Sequence, residues 1–278
     1  MDKINPKIKN QKSKLKRLKN ALKNMESVAI AFSGGADSTF LVKIAKDTLG
    51  RQNVLAVTAA SETYPRSELK EAKGLAKLIG VRHIIIKTEE LKDTNFKANS
   101  PQRCYYCKSE LFDKIRKIAK EEKINYIADA TNYDDIRDFR PGRRAAKEKG
   151  VGSPLKEARF TKEDIRMVSK RLGLPTWHKP AYACLASRIP YYETITKRKL
   201  NQIDSAEKIL RDKFKFRQVR VRRHGNIARI EVAPDEIYKF FVDGLREDIV
   251  EKFNEFGFKY VTVDLKGYRT GSMNEVLK

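Results

Sequence analysis

Short apolar runs alternate with amphipathic stretches through the first half of the chain. The run Val28-Ala29-Ile30-Ala31-Phe32 reads as a buried strand, and 39–46 repeats its apolar positions at helical spacing. The same reading predicts strands over 53–59, 81–87 and 126–130 and helices over 65–79 and 108–121, the last preceded by a cysteine-bearing loop. Alternating strands and helices predict an α/β fold, a parallel sheet covered by helices. Ligands of such sheets sit beyond the carboxyl ends of the strands, where Ser33, Thr58 and Thr131 fall. Residues 131–190 read as loops with short helices over 143–149 and 162–172. Beyond Thr194 the pattern changes to a long helix (197–214), a hairpin (216–224 and 227–232) about Gly225-Asn226, helices (234–242 and 247–256) and a last strand (258–265). Three parts follow: a basic amphipathic helix (1–26), an α/β domain (27–192) and a smaller α+β domain (193–278), with a boundary near 190–196.

Composition narrows the class. The chain has 278 residues, 40% hydrophobic and 35% charged, which describes a globular protein with a real core. No apolar run is long enough to span a membrane and the start is lysine-rich, so a cytoplasmic protein is expected. The net charge of +24 is concentrated partly in Lys3, Lys7, Lys9, Lys12, Lys14, Lys16, Arg17, Lys19 and Lys23, against Asp2. Ile8, Leu15, Leu18, Leu22 and Met25 recur there at helical spacing, so one stripe packs while the lysines stay solvated. A solvated helix face is favoured over a nucleic-acid arm, since a charge run alone lacks specificity. Basic charge also attracts ATP and phosphorylated metabolites.

The candidate chemistry starts at Ser33-Gly34-Gly35-Ala36-Asp37-Ser38, between the first strand and its helix. Glycines let backbone amides approach a phosphate, and the helix start adds partial positive charge. The spacing is not that of the Walker loop. It resembles the pyrophosphate loop (PP-loop) of enzymes that split ATP into AMP and pyrophosphate. Asp37 could hold Mg²⁺ and Ser38 could bond a phosphate oxygen, or Asp37 is only a first-turn carboxylate favoured by the helix dipole. Cys104-Tyr105-Tyr106-Cys107 is a C-x-x-C, and Cys184 is the third and last cysteine. Two buried thiols with an unrelated third would explain them. So would a metal centre, although His83, His178 and His224 lack zinc-finger spacing. A [4Fe–4S] cluster on three cysteines keeps one iron open for an exogenous sulfide.

The neighbouring stretches carry a sharper resemblance. Pro101-Gln102-Arg103-Cys104-Tyr105-Tyr106-Cys107-Lys108 precedes Thr131-Asn132-Tyr133-Asp134-Asp135, Arg140-Pro141-Gly142 and Gly150-Val151-Gly152-Ser153-Pro154-Leu155. Lys179-Pro180-Ala181-Tyr182-Ala183-Cys184-Leu185-Ala186-Ser187-Arg188-Ile189-Pro190 is the most specific of them. The series resembles the LarE family of ATP-dependent sulfur-inserting enzymes in nickel-pincer cofactor synthesis, with one departure at His178, where the family has an acidic residue. The resemblance implies a Rossmann-like PP-loop domain. It implies adenylation of a carboxylate on a pyridinium dicarboxylate mononucleotide, then displacement of AMP by sulfur. Ser33, Gly34, Gly35, Asp37, Ser38, Thr58 and Thr131 would bind ATP and Mg²⁺. Family members use either the sulfur of the cysteine matching Cys184 or a sulfide on a three-cysteine [4Fe–4S] cluster. Here Cys104, Cys107 and Cys184 favour the cluster. Arg220 and Arg222, two apart on one strand, match the substrate-phosphate arginines, with Glu231 on the paired strand to orient them. Expected partners are the nucleotide substrate, a sulfide donor and other copies of the chain. Trp177 is expected as a core aromatic. A PP-loop tRNA thiolase is the competing reading, favoured by the charge and opposed by the cysteine context, and an ammonia-using adenylating enzyme leaves the cysteines unexplained.

Overall fold

The computed structural model describes residues 6–137, 141–180, 183–242, 244–269 and 271–277. Asp2, Lys3, Arg140, Ala181 and Tyr182, used in the sequence reading, lie outside the described residues, as do the side chains of Lys7, Ile8 and Lys9. The chain divides into two compact units, Met1–Glu90 with Gln102–Tyr182, and Leu91–Pro101 with Ala183–Lys278.

The first unit opens with α1 (Pro6–Met25), β1 (Val28–Ala31), α2 (Ala36–Leu49), β2 (Val54–Ala60), α3 (Arg66–Ile79) and β3 (Arg82–Lys87). A single turn in the other unit, α4 (Thr94–Lys97), interrupts it before α5 (Arg103–Glu121), β4 (Tyr126–Ala128), α6 (Gly142–Glu148), α7 (Pro154–Glu157) and α8 (Lys162–Arg171). The sheet is parallel, in the order β3-β2-β1-β4, with Val28 opposite both Val54 and Tyr126. This is the helix-covered parallel sheet that the pattern predicts and the Rossmann-like PP-loop arrangement that the resemblance implies.

The central strands β1 and β2 are nearly all apolar because both their faces are covered, whereas the edge strand β3 carries Arg82, His83 and Lys87. Val28 and Ile30 join one core with Phe40, Leu41, Phe160 and Ile165, while Ala29, Leu55 and Val57 join the other with Phe112 and Ile115. The stripe of α1 packs into the first core through fully buried Leu18 and Leu22 and nearly buried Met25. Its polar face is anchored too, since Lys14 pairs with Asp164, the carboxylate of the capping box that starts α8.

The cysteine-bearing loop is not a loop. Helix α5 starts at Arg103, five residues before the expected 108, so Cys104 and Cys107 lie in its first turns. First-turn amides need no acceptor within the helix, so weak helix formers are tolerated there once the rest packs through Leu111, Phe112 and Ile115. Trp177 also departs from expectation: it is 36% exposed, with the Lys170 ammonium over its ring.

The second unit holds α9 (Lys197–Asp212), β5 (Val219–His224), β6 (Ile227–Val232), α10 (Leu245–Glu255) and β7 (Tyr260–Val263). The hairpin β5–β6 turns at Gly225, whose φ of 58° suits glycine. Helix α10 crosses back so that β7 runs parallel to β6. The expected helix over 234–242 is a 3-10 segment, Pro234–Phe241. Leu91–Pro101 belongs to this unit through Asn99, fully buried, whose amide nitrogen reaches the carbonyls of Ile189, Pro190 and Glu193. The backbone amides of Tyr192 and Ile195 donate in return to Asn99 and Lys97.

Candidate active site

At the carboxyl end of β1 the chain turns through Gly34 at a φ of 64°, and α2 begins with Gly35 as its N-cap. Gly35 has no side chain to cap the helix, so first-turn amides remain for an anion. The Ser33 amide donates to Ser38 Oγ at 3.3 Å, and Ser38 Oγ donates to the Gly35 carbonyl at 3.2 Å. The loop therefore holds its own curvature before any ligand arrives. A Cβ on Gly34 would lie 3.1 Å from Ala72 Cα, so α3 packs directly against the turn.

Three residues outside the loop fix it. Lys179 Nζ donates to the Gly34 carbonyl at 3.2 Å while paired with Glu68 and Glu71 at 2.8 and 2.9 Å. The Tyr64 hydroxyl donates to the Ser33 carbonyl at 2.6 Å, and burial, reinforced by Glu68 and Glu71, raises the pKa of its phenol well above the ordinary value. Asn132, fully buried beyond β4, donates through Nδ2 to Asp37 Oδ2 at 3.0 Å and accepts through Oδ1 from the amides of Asp134 and Asp135. Asp37 is thus aimed across the ends of β1 and β4, at the point where strand order reverses. Asn132 and Lys179 stood within quoted motif stretches, but nothing in their spacing assigned them a task. Tyr64 carried no signal.

The two threonines named for ATP have committed hydroxyls. Thr58 lies within β2 and donates to the Phe32 carbonyl at 2.7 Å. That uses its one hydrogen, so it accepts from His83 Nε2 at 2.8 Å, which fixes the proton of that ring on Nε2. Burial, then Lys73, lowers the His83 pKa, which favours the neutral ring. Thr131 donates its hydroxyl to Asp129 Oδ2 at 2.8 Å. Either threonine would meet a nucleotide through other atoms.

Cys104 is exposed and Cys107 half-buried, one helical turn apart on α5, and neither is in a disulfide. The Cys107 thiol lies 3.6 Å from Glu90 Oε1, while the buried Glu90 Oε2 has no hydrogen-bond partner. Neither unit by itself, among its described residues, gathers three or more His, Cys, Asp or Glu side chains as a metal site. Donor chemistry fits a three-thiolate cluster: all three thiols are at least partly accessible and outside any disulfide.

In the second unit Cys184 precedes a 3-10 turn, Leu185–Arg188. Arg188, fully buried, donates to the carbonyls of Ala183 and Cys184 at 2.6 and 2.9 Å and pairs side-on with Glu207 at 2.8 and 3.1 Å. Burial alone would raise the Glu207 pKa, but Arg188, Arg220 and Arg211 lower it to about 2. Arg222, also buried, pairs with Glu231 at 2.7 Å. Ser272 completes that pair, accepting from Arg222 and donating to Glu231. Arg220 lies over the Tyr268 ring, and burial together with Arg188 pulls its pKa down to about 10. The resemblance names Arg222 and Glu231, but no periodicity marks Arg188 with Glu207, because arginine and glutamate read as surface residues until the fold buries them.

Comparison with known proteins decides the family. The NAD synthase family model matches residues 9–130. An uncharacterized protein of Synechocystis is 46% identical over 95% of this chain and 98% of its own. The pyridinium-3,5-bisthiocarboxylic acid mononucleotide synthase of Lactiplantibacillus plantarum is 40% identical over 92% of both chains. This chain belongs to the LarE family. An uncharacterized protein of Methanocaldococcus jannaschii, 33% identical over 92% of this chain, extends the likeness to an archaeon. As a LarE-family member with a PP-loop fold, the chain is an ATP-dependent enzyme, and none of its described helices is long and apolar enough to cross a membrane.

Proposed function

We propose that this enzyme adenylates a carboxylate of pyridinium-3,5-biscarboxylic acid mononucleotide and replaces the adenylate with sulfur, giving a thiocarboxylate for nickel-pincer cofactor synthesis. One observation carries the reading: the braced, uncapped loop 33–38 occurs in a chain 40% identical, over 92% of its length, to a synthase of the bisthiocarboxylic acid mononucleotide. On this reading residues 27–192 use ATP, and residues 193–278 supply Arg220 and Arg222, oriented by Glu231, for the phosphate of the acceptor. It is a cytoplasmic homo-oligomer supplied with sulfide by a separate donor.

In the first step a carboxylate oxygen of the acceptor bonds the α-phosphorus of ATP. The bond from that phosphorus to the bridging oxygen breaks, and pyrophosphate leaves with the electron pair. The first-turn amides of α2 and the hydroxyl of Ser33 receive that charge, and Ser38 joins them only by turning its hydroxyl away from the Gly35 carbonyl. Asp37, held by Asn132, is the residue for Mg²⁺, which when bound offsets further phosphate charge. A free carboxylate is a poor electrophile, and its adenylate is a good one. In the second step sulfide bonds the acyl carbon, the bond to AMP breaks, and the product is a thiocarboxylate.

Cys104, Cys107 and Cys184 would hold a [4Fe–4S] cluster, which when bound supplies sulfide on the iron that no cysteine ligates. The second reading, sacrifice of the Cys184 sulfur to leave dehydroalanine, is favoured by its partial exposure on a turn held by Arg188. Protein purified without oxygen is to be assayed for iron and acid-labile sulfide, then supplied with ATP and the acceptor. Iron, sulfide and repeated turnover support the cluster. Iron-free active protein with Cys184 converted to dehydroalanine overturns it. No pyrophosphate release with the acceptor overturns the function as a whole.

A further inference from the structure

Beyond the carboxyl end of β4 the first unit contains a cleft of about 450 Å³. Arg143, Arg144 and Lys147 of α6 and Lys156 of α7 line it, over an apolar floor that includes Ala146 and Val151. Its carboxylate is Asp129, whose oxygens are already taken: Oδ1 accepts from the Thr131 amide and the Ser153 hydroxyl, and Oδ2 from the Thr131 hydroxyl. Arg144 lies over the Tyr105 ring at 4.2 Å and reaches Glu148 at 3.6 Å. Lys147 and Lys156 have no ion-pair partner among the described residues. Arg144 is paired with Glu148 and Arg143 donates to the Asp135 carbonyl, so Lys147 and Lys156 carry the charge that a bound anion would offset.

We propose that this cleft recognises the aromatic dicarboxylate end of the acceptor, an assignment that rests on the function proposed above. The floor suits a flat ring. Carboxylates at ring positions 3 and 5 diverge, so two separated groups of cations hold them better than one. Here Arg143, Arg144 and Lys147 lie on α6 and the single Lys156 lies on α7. The cleft also adjoins the site of activation. Thr131 lines it, and the next residue, Asn132, bonds Asp37 beside the loop 33–38. A ring held here brings its carboxylate to the side of the strand ends where ATP would lie.

The test uses pyridine-3,5-dicarboxylate, which lacks the phosphate and so reports on the ring end alone. Binding to the full chain is followed by calorimetry or ligand-observed NMR at fixed salt, with pyridine-3-carboxylate and inorganic phosphate as comparison ligands. The dicarboxylate is expected to bind about tenfold more tightly than the monocarboxylate, the loss of one charge-assisted contact. The Lys147→Gln/Lys156→Gln protein is expected to lose about tenfold in dicarboxylate affinity. Both lysines are at least partly exposed, so the fold should survive, and a thermal melt verifies it. Lys147→Glu provides a second variant, with a larger loss expected. Unchanged affinity in the variants, no binding to the wild-type chain, or phosphate binding as tightly as the dicarboxylate overturns the assignment. Pyrophosphate release with an unchanged acceptor KM in the variants overturns the cleft while the function stands. Ring binding through these lysines without acceptor-dependent pyrophosphate release leaves the cleft supported and overturns the function.

Discussion

The ammonium of Lys179 donates to the carbonyl of Gly34 at 3.2 Å, tying residue 179 to a turn 145 positions earlier. The same ammonium neutralises Glu68, which is itself buried, and the more exposed Glu71. Lys179 therefore positions the loop and keeps two carboxylates from repelling the phosphates that the loop would receive. Lys179→Met is expected to leave Glu68 buried without a partner and to destabilise the protein by about 3 kcal/mol. Acceptor-dependent pyrophosphate release should fall through a higher KM for ATP. The additional change Glu68→Gln should recover stability and part of the ATP affinity. A stable Lys179→Met protein with unchanged KM would show the contact to be incidental.

Gly34 combines a positive φ with close packing, and the two constraints separate by mutation. Gly34→Ala brings a methyl to 3.1 Å from Ala72 Cα in a backbone conformation that L side chains rarely adopt. A loss of about 1–3 kcal/mol and of ATP use is expected. Adding Ala72→Gly removes the 3.2 Å contact with Ala72 Cβ but not the φ strain, so recovery should be partial. Thermal melts and pyrophosphate release measure both.

Glu207 makes the second unit acid-sensitive. Its pKa falls from 4.5 to about 2 in the folded protein, so the folded state binds fewer protons than the unfolded chain between those values. The stabilisation is present above the unfolded pKa and is lost as pH falls from about 5 toward 2, on the order of 3 kcal/mol. Asp164, Glu236 and Asp264 are also depressed, so the Glu207 share is read as a difference between proteins. Glu207→Gln should be about 3–5 kcal/mol less stable at pH 7, since Arg188 loses its counter-charge. The difference between wild type and variant should shrink as pH approaches 3. A constant difference across urea titrations at each pH would refute this.

The N-terminal helix makes two opposite expectations. Leu22→Ala removes a fully buried side chain and should destabilise by about 2–5 kcal/mol. Lys12, Lys16, Lys19 and Lys23 are exposed, and replacing all four with Gln should change stability by less than about 1 kcal/mol. Acceptor-dependent turnover should survive that charge removal. A salt-dependent tRNA complex lost in the quadruple variant would instead mark the helix as a nucleic-acid arm.

Local pattern was sufficient where each residue answers to its neighbours. Apolar runs such as 28–32 specify buried strands, helical spacing specifies α3 and α9, and Gly-Gly after a strand specifies a tight anion turn. The family resemblance was legible too, because its motifs are contiguous. The cysteine segment misled, since Cys-Tyr-Tyr-Cys is a weak helix former whose state depends on packing further along α5.

Local pattern and contiguous motifs were enough for the parallel α/β sheet, the loop 33–38 and the resemblance to the family. Tertiary structure decided what braces that loop and what surrounds the third cysteine. Lys179 reaches Gly34, Asn132 reaches Asp37, Asn99 joins 91–101 to the second unit, and Arg188 with Glu207 supports the turn at Cys184. These partners are up to 145 positions apart, and each bond is stabilising because the fold removes competing water. Burial of that kind is a property of the assembled chain, and no local pattern encodes it.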